Sequence, residues 1–351
     1  MTHARFNRYF LAVILAALGL NFFIWKNVTS IILPQDGSIV GDLARMSYRT
    51  DIIAKRTGLV SSSQFHHEYF EDIGAVDLIT IGDSFSNGLG TGLGCFYQDM
   101  ISKKYDLKIL NLGLIEHGDN PIENILMLLQ TKEFSELTPK YILLQVVERK
   151  IIDLLAVDIN WNVSSKAMRL GQLAAIKTSE IPPQHFLNAS NLKVLLYPIL
   201  YQYDDNAYIS KAYMAQLSES LFSSEGAKVL SFYFEDLLNI SKSSRKTISY
   251  VVKNLNHLAR ILQKKGIKLI FMPTVDKYNL YSEYIVNNPY PKSSLFELFR
   301  EASMDFAFVD TKYILSESLS EGVKDLYYSD DTHWSEIGMA TVVEKLADTF
   351  Q

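Results

Sequence analysis

The chain has 351 residues, 48 % of them apolar, with a formal charge of -5 and one cysteine. That is enough apolar material for a sizeable core, and the mild acidity, without a long basic run, argues against nucleic acid as a partner. The lone cysteine, Cys95, excludes an intramolecular disulfide. Twenty tyrosines and 19 phenylalanines suit sugar or lipid contact, although an aromatic-rich core is the commoner reason for such a count.

Arg5 and Arg8 precede an uncharged apolar run from Tyr9 to Trp25, which Lys26 closes. About 17 residues is the lower limit for crossing a bilayer. Bulky Phe22, Phe23, Ile24 and Trp25 stand where a small-residue cleavage site would be needed, so residues 1–26 read as an uncleaved signal anchor. The arginines hold the N-terminus in the cytoplasm and export the rest. In a bacterium that is a single pass of the inner membrane, with the bulk of the chain facing the periplasm. The sequons at Asn27, Asn162, Asn188 and Asn239 matter only in a eukaryotic secretory route.

Residues 27–75 form a connector without a strong period. His66, His67 and Glu68 lie in it, but neighbouring side chains diverge, so a surface loop or short helix is expected there rather than a metal site. From Val76 the pattern becomes regular. Apolar runs at Leu78–Ile81, Leu107–Leu112, Tyr141–Val147, Lys268–Met272 and Phe306–Val309 have strand length. Helical spacing recurs between them, at Ile122–Leu129 and Ile248–Leu262, with Gly266 as a stop signal. A last helix over Ser335–Phe350 is expected to pack Ile337, Ala340, Val343 and Leu346 on the sheet. Alternating strands and helices predict an α/β domain over 76–351 with a central parallel sheet.

Residues 153–244 break that rhythm with Pro182-Pro183, a tyrosine group (Tyr197, Tyr201, Tyr203, Tyr208, Tyr213) and amphipathic stretches without an obvious strand. They are too long for an ordinary loop and are predicted to be a helical insertion after the third strand, most of its tyrosines serving as core.

The first strand ends in Gly82-Asp83-Ser84, which puts a serine where open α/β sheets place their ligands. Serine needs a base to take its proton. His333, in Ser329-Asp330-Asp331-Thr332-His333-Trp334-Ser335, is the candidate, with Asp331 or Asp330 as the carboxylate that orients it. Taken alone, the same acidic cluster also suits a helix N-cap. Cys95 follows the Ser84 turn but has no base assignable to it. Gly88, Gly90, Gly92 and Gly94 lack the lysine of a phosphate loop, so no nucleotide, metal or other cofactor is expected.

In chain order these pieces resemble the SGNH (GDSL-type) hydrolase superfamily. Gly82-Asp83-Ser84-Phe85-Ser86 is similar to its first block, and Asn111-Leu112-Gly113-Leu114-Ile115-Glu116-His117-Gly118 to its second. Asp330-Asp331-Thr332-His333-Trp334 is similar to its last. The resemblance implies a three-layer α/β/α fold, Ser84 as nucleophile, His333 as base and Asp331 as its partner, with Asp330 the alternative. Gly113 and Gly118 then supply oxyanion-hole backbone. The third strand ends Gln145-Val146-Val147-Glu148-Arg149-Lys150, without the Gly-x-Asn-Asp of ordinary members. Glu148-Arg149 together with Asp-Thr-His-Trp looks like the alginate O-acetylation proteins, periplasmic SGNH-like acetyltransferases that work with a membrane-bound O-acyltransferase. In that reading Arg149 stabilises the oxyanion or positions an acidic sugar; the plain alternative is a salt bridge to Glu148 or a neighbour. The implied activity is O-acetyl transfer to an exopolysaccharide through acetyl-Ser84. A carbohydrate or lipid esterase and a silent polysaccharide-binding or scaffold subunit are the rivals.

Overall fold

The computed structural model describes residues 3–34, 39–56, 66–67, 74–88, 90, 95–113, 120–163 and 185–350. Its strands are, in chain order, β1 (His66–His67), β2 (Leu78–Gly82), β3 (Ile109–Gly113), β4 (Tyr141–Val147), β5 (Ala212–Gln216), β6 (Val229–Tyr233), β7 (Lys268–Thr274) and β8 (Ala307–Phe308). Six of them form one sheet in the order β1-β3-β2-β4-β7-β8, and every pairing in it is parallel.

The central strands are buried along their length. That is why they read as continuous apolar runs rather than alternating ones: helices cover both faces of a parallel sheet. The principal helices are α1 (His3–Ile24), α2 (Asp42–Ser47), α3 (Tyr97–Tyr105), α4 (Pro121–Leu128), α5 (Lys132–Leu137), α6 (Glu148–Leu155), α7 (Ser190–Leu200), α8 (Arg245–Gln263), α9 (Lys277–Tyr281), α10 (Thr311–Ser320) and α11 (Glu336–Glu344). Helix α8 starts at a reciprocal capping box between Ser244 and Thr247 and buries Ile248, Val251, Val252, Leu255, Leu258 and Leu262, the expected face. Asn120 caps α4 through the Ile122 and Glu123 amides.

From β2 the chain steps to β3 on one side and then returns to β4 on the other. That reversal is a topological switch point, and it opens a crevice beyond the carboxyl ends of the strands. Ser84 follows β2 directly into it.

Four expectations need correction. The stretch 153–244 is not purely helical: β5 and β6 pair antiparallel within it, Ala212 opposite Tyr233 and Gln216 opposite Val229. These strands have partly buried rims and a buried Ser231, so neither a long apolar run nor a clean alternation marks them. Tyr213 stacks on Phe232 and Tyr197 is buried, whereas Tyr203 and Tyr208 are largely exposed. Pro182-Pro183 lies outside the described residues. His66 and His67 form an edge strand on β3, not a loop or helix.

The last helix keeps half of the expected face. Val343 and Leu346 are buried as expected, but Ile337 and Ala340 are exposed, and Gly338, Met339 and Val342 are buried in their place. A Cβ on Gly338 would lie 2.1 Å from the Leu326 carbonyl oxygen, so the glycine lets the helix backbone press inward there. Finally, the N-terminal helix is longer than the apolar run: with a π-helical turn at Trp25–Thr29, the helical stretch continues to Ile32. By length and composition it is able to cross a membrane.

Candidate active site

The turn after β2 is held from behind by buried polar groups. Gln145 on β4 is fully buried, and its Oε1 accepts from the Asp83 amide (3.0 Å) and from Ser86 Oγ (2.9 Å). Its Nε2 donates to Thr274 Oγ1 on β7. Asn111, from the second block, donates to the Ser86 carbonyl and accepts from Thr80 and Gln98. The Asp83 carboxylate accepts from the Phe85 amide (3.0 Å) and the Val147 amide (2.7 Å), joining the turn to the end of β4. Gly82 must be glycine, since a Cβ there would lie 1.9 Å from Ser86 Oγ. The result is a rigid turn that presents Ser84 to the crevice.

His333 reaches it from the other end of the chain. A bridge between Tyr327 and Trp334 closes a loop over 328–333. Inside it, His333 Nε2 lies 2.8 Å from Ser84 Oγ and Nδ1 lies 2.6 Å from Asp331 Oδ1. Of the two aspartates, Asp331 is the one that bonds the imidazole. Asp330 instead takes a bidentate pair from Arg56 (2.9 and 3.0 Å) and the Gly41 amide (2.9 Å). The N-cap of α11 is Ser335, whose hydroxyl accepts from the Ile337 and Gly338 amides, so neither aspartate serves as the cap.

The loop is clamped from three sides that sequence reading did not single out. Asp42, at the start of α2, accepts from the Thr332 amide (2.8 Å) and hydroxyl (2.6 Å), and its own amide donates to Asp331 Oδ2. Lys277 on α9 is fully buried and donates to the carbonyls of Tyr328, Ser329 and Asp331 (2.7–3.0 Å). Arg56 packs over the Tyr328 ring and donates to the Gly90 carbonyl. Gly90 itself has φ +89, and a Cβ there would lie 2.9 Å from both Asp331 Oδ1 and His333 Cβ. No signal in the sequence pointed to them: Asp42 and Arg56 lie in an unpatterned connector among other aspartates and arginines, and Lys277 follows β7 without a motif.

Electrostatics follow from this packing. Burial alone would lower the His333 pKa, but the Asp331 charge, its hydrogen bond and Asp42 outweigh burial and the opposing Arg149, so it stands above the ordinary 6.5. For Asp331, burial works upward, yet His333 and Arg56 carry the carboxyl well below the usual range. Asp42 is raised by burial and by the neighbouring Asp331 charge. Burial pulls the Lys277 ammonium down to about 8, against four nearby aspartates.

Glu148 and Arg149, at the start of α6, are both buried. Glu148 accepts from Asn279 (2.8 and 2.9 Å), Ser293 (2.5 Å) and the Asp276 amide (2.9 Å), and burial raises its pKa. Arg149 Nη1 pairs with Asp276 (2.6 Å) and Asp236 (3.3 Å), and the guanidinium lies 5.6 Å from the Tyr233 ring centroid. Arg149 thus makes its salt bridges to neighbours from other elements rather than to Glu148. Its charge nevertheless reaches His333, where it opposes protonation. Gly113 ends β3 opposite Gly82, beside the serine turn. Gly118 lies outside the described residues. Nothing accepts the Ser84 amide N–H among the described residues.

Burial pushes the Cys95 thiol up to about 12, a poor state for a nucleophile. Among the described residues, Asp42, Asp331 and His333 bring ligand-type atoms within 4.8 Å of one another. All three are engaged in the contacts above.

No curated protein and no solved structure matches the chain at a significant level. A family model does match, over residues 232–351, a segment that contains Asp331 and His333 but not Ser84. In that segment the chain is similar to the SGNH hydrolase-like domain of the acetyltransferase AlgX.

Proposed function

We propose that this protein is a membrane-anchored, extracytoplasmic serine acyl-ester enzyme whose main activity is O-acetyl transfer to an exopolysaccharide. The observation that carries the reading is the continuous line from Ser84 Oγ through the His333 imidazole to Asp331. With Nδ1–H donated to Asp331, the Nε2 lone pair of His333 accepts the Ser84 proton. Ser84 Oγ attacks the acyl carbonyl, and the oxyanion is met by the Ser84 amide N–H, with Gly113 backbone and the Arg149 charge as supporting groups. The tetrahedral intermediate collapses as His333 returns the proton to the departing oxygen, leaving acetyl-Ser84. A sugar hydroxyl then gives its proton to His333, attacks the ester carbonyl, and Ser84 departs with the proton.

Transfer is preferred to hydrolysis because the similarity over 232–351 is to an acetyltransferase domain. The apolar helix at the N-terminus supports an inner-membrane anchor with the enzyme on the periplasmic side, where a membrane-bound O-acyltransferase is the proposed donor partner. The test uses the full chain in detergent, charged with an activated acetyl ester and then offered water with or without acidic oligosaccharides. Faster loss of acetyl to sugar than to water supports the transferase. Loss at one rate regardless of sugar makes it an esterase.

A further inference from the structure

Helix α7 has apolar residues on two faces, and only one of them is covered. Asn191, Val194 and Tyr197 point inward. Leu192, Leu195, Leu196 and Ile199, at i, i+3, i+4 and i+7, are 60, 44, 42 and 53 % exposed. A helix apolar all round belongs in a core or in lipid. From Leu187 to Tyr203 the only charged residue is Lys193, and no carboxylate occurs. Lys193 lies near the Tyr48 ring, away from the four-residue stripe. Tyr203 and Tyr208, just beyond the helix, are 74 and 62 % exposed, as aromatic residues at a membrane–water boundary are.

What this face meets is indicated by where α7 is fastened. Asn191 is buried, accepts from Thr29 Oγ1 (2.8 Å) and donates to Asn21 Oδ1 (2.9 Å). Val194 packs with Ile24 and Ile32. Phe186 packs against the Phe22 and Trp25 rings. All these partners lie in the last turns of the N-terminal helical stretch. Counting about 20 residues of span from Tyr9 puts the far membrane boundary near Val28, level with the attachment of α7. The helix that carries the exposed stripe is therefore fastened at the level where the anchor leaves the bilayer.

We propose that α7 lies in the membrane interface, with Leu192, Leu195, Leu196 and Ile199 sunk about 5–10 Å into the boundary between headgroups and acyl chains. This rests on the anchor reading given above. Its consequence is an orientation for the enzyme. Tyr48, which ends α2, bonds Ser190 (3.0 Å) and packs edge-on against Tyr197, while Asp42 at the other end of α2 holds the His333 loop. One helix of six residues, about 9 Å long, thus separates the candidate active site from the membrane-bound helix.

The experiment needs no substitution. The unmodified full chain is reconstituted into phosphatidylethanolamine–phosphatidylglycerol vesicles doped with a lipid that carries a diazirine near the glycerol end of its acyl chain. It is then irradiated, and adducts are mapped by mass spectrometry. Adducts at both Tyr9–Ile24 and Leu192–Ile199 are expected, with none on the exposed face of α8 around Gln263. Adducts on the N-terminal helix with none at 187–203 would overturn the proposal while leaving the anchor standing. Adducts at neither place would overturn both. Adducts at Leu192–Ile199 alone would refute the anchor and, with it, the orientation argued from it.

Discussion

Replacing Arg56 by methionine removes the arginine that pairs with the Asp330 carboxylate. Arg56 donates to both Asp330 oxygens and to the Gly90 carbonyl, and its side chain is 8 % exposed against 0 % for Asp330. Screening by water is slight at that burial. Breaking a buried pair by deleting one partner costs about 3–5 kcal/mol, because the other charge is left uncompensated. Asp330 keeps the Gly41 amide at 2.9 Å, and methionine keeps most of the packing on Tyr328, so the lower end, ~3 kcal/mol, is expected. With a urea slope of ~3 kcal/mol/M that is a midpoint lower by about 1 M. The double variant Arg56→Met/Asp330→Leu removes both charges and is expected to recover most of the loss, which the arithmetic of a double-mutant cycle isolates. Urea unfolding of the four proteins in detergent is the assay. An Arg56→Met midpoint within about 0.2 M of wild type, which at that slope is the ~0.5 kcal/mol of an ordinary surface change, would refute the reasoning.

Acylation of Ser84 should rise with pH through the His333 pKa, with a midpoint above 6.5; Asp42→Asn should move that midpoint down, since the Asp42 charge helps raise it. Stability carries a matching signature. The raised His333 contributes fully below its unfolded pKa of about 6.5 and loses that contribution as pH rises through the folded value. The depressed Asp331 contributes above about 3.9 and loses it as pH falls through its folded value. The stability difference between wild type and His333→Gln should therefore be largest between roughly pH 4 and 6.5; a difference that grows steadily to pH 9 contradicts the pairing. Gly90→Ala should lower the melting temperature and slow acylation together, since it strains a positive φ and drives a methyl against Asp331 and His333. Arg149→Met should destabilise by about 3 kcal/mol or more, and more at alkaline pH than at pH 5, because Asp236 (raised to about 6) and Asp276 (raised well above the ordinary carboxyl value) are left to face one another. Equal losses at both pH values would argue against that cluster.

The parts of this molecule that could be read from sequence are those encoded locally. Leu78–Ile81 and Tyr141–Val147 are apolar on both sides of the strand, apart from Thr80 and Gln145, because helices cover both faces, and their lengths betray strands rather than helices. Ser84 and His333 were legible by residue type and local setting, and the structure brings them within hydrogen-bond distance across 249 positions. The choice between Asp331 and Asp330 was not local. Arg56 and the Gly41 amide occupy Asp330, and both belong to a connector with no period to read. Asp42 and Lys277 were missed for the same reason, since each works by bonding the loop of His333 from a distant element. The β5–β6 hairpin escaped because its half-buried strands carry serine and tyrosine in place of an alternating pattern. The face of α11 was set by the contact of Gly338 with Leu326, which hydropathy does not record.

The most direct test of the central claim is peptide-level mass spectrometry of the full chain after brief exposure to an activated acetyl ester at pH 8. The account predicts one acetyl group, on the peptide containing Ser84, absent from Ser84→Ala and from His333→Ala. A folded wild-type protein that takes no acetyl group from any donor, or takes it equally when His333 is gone, would contradict it.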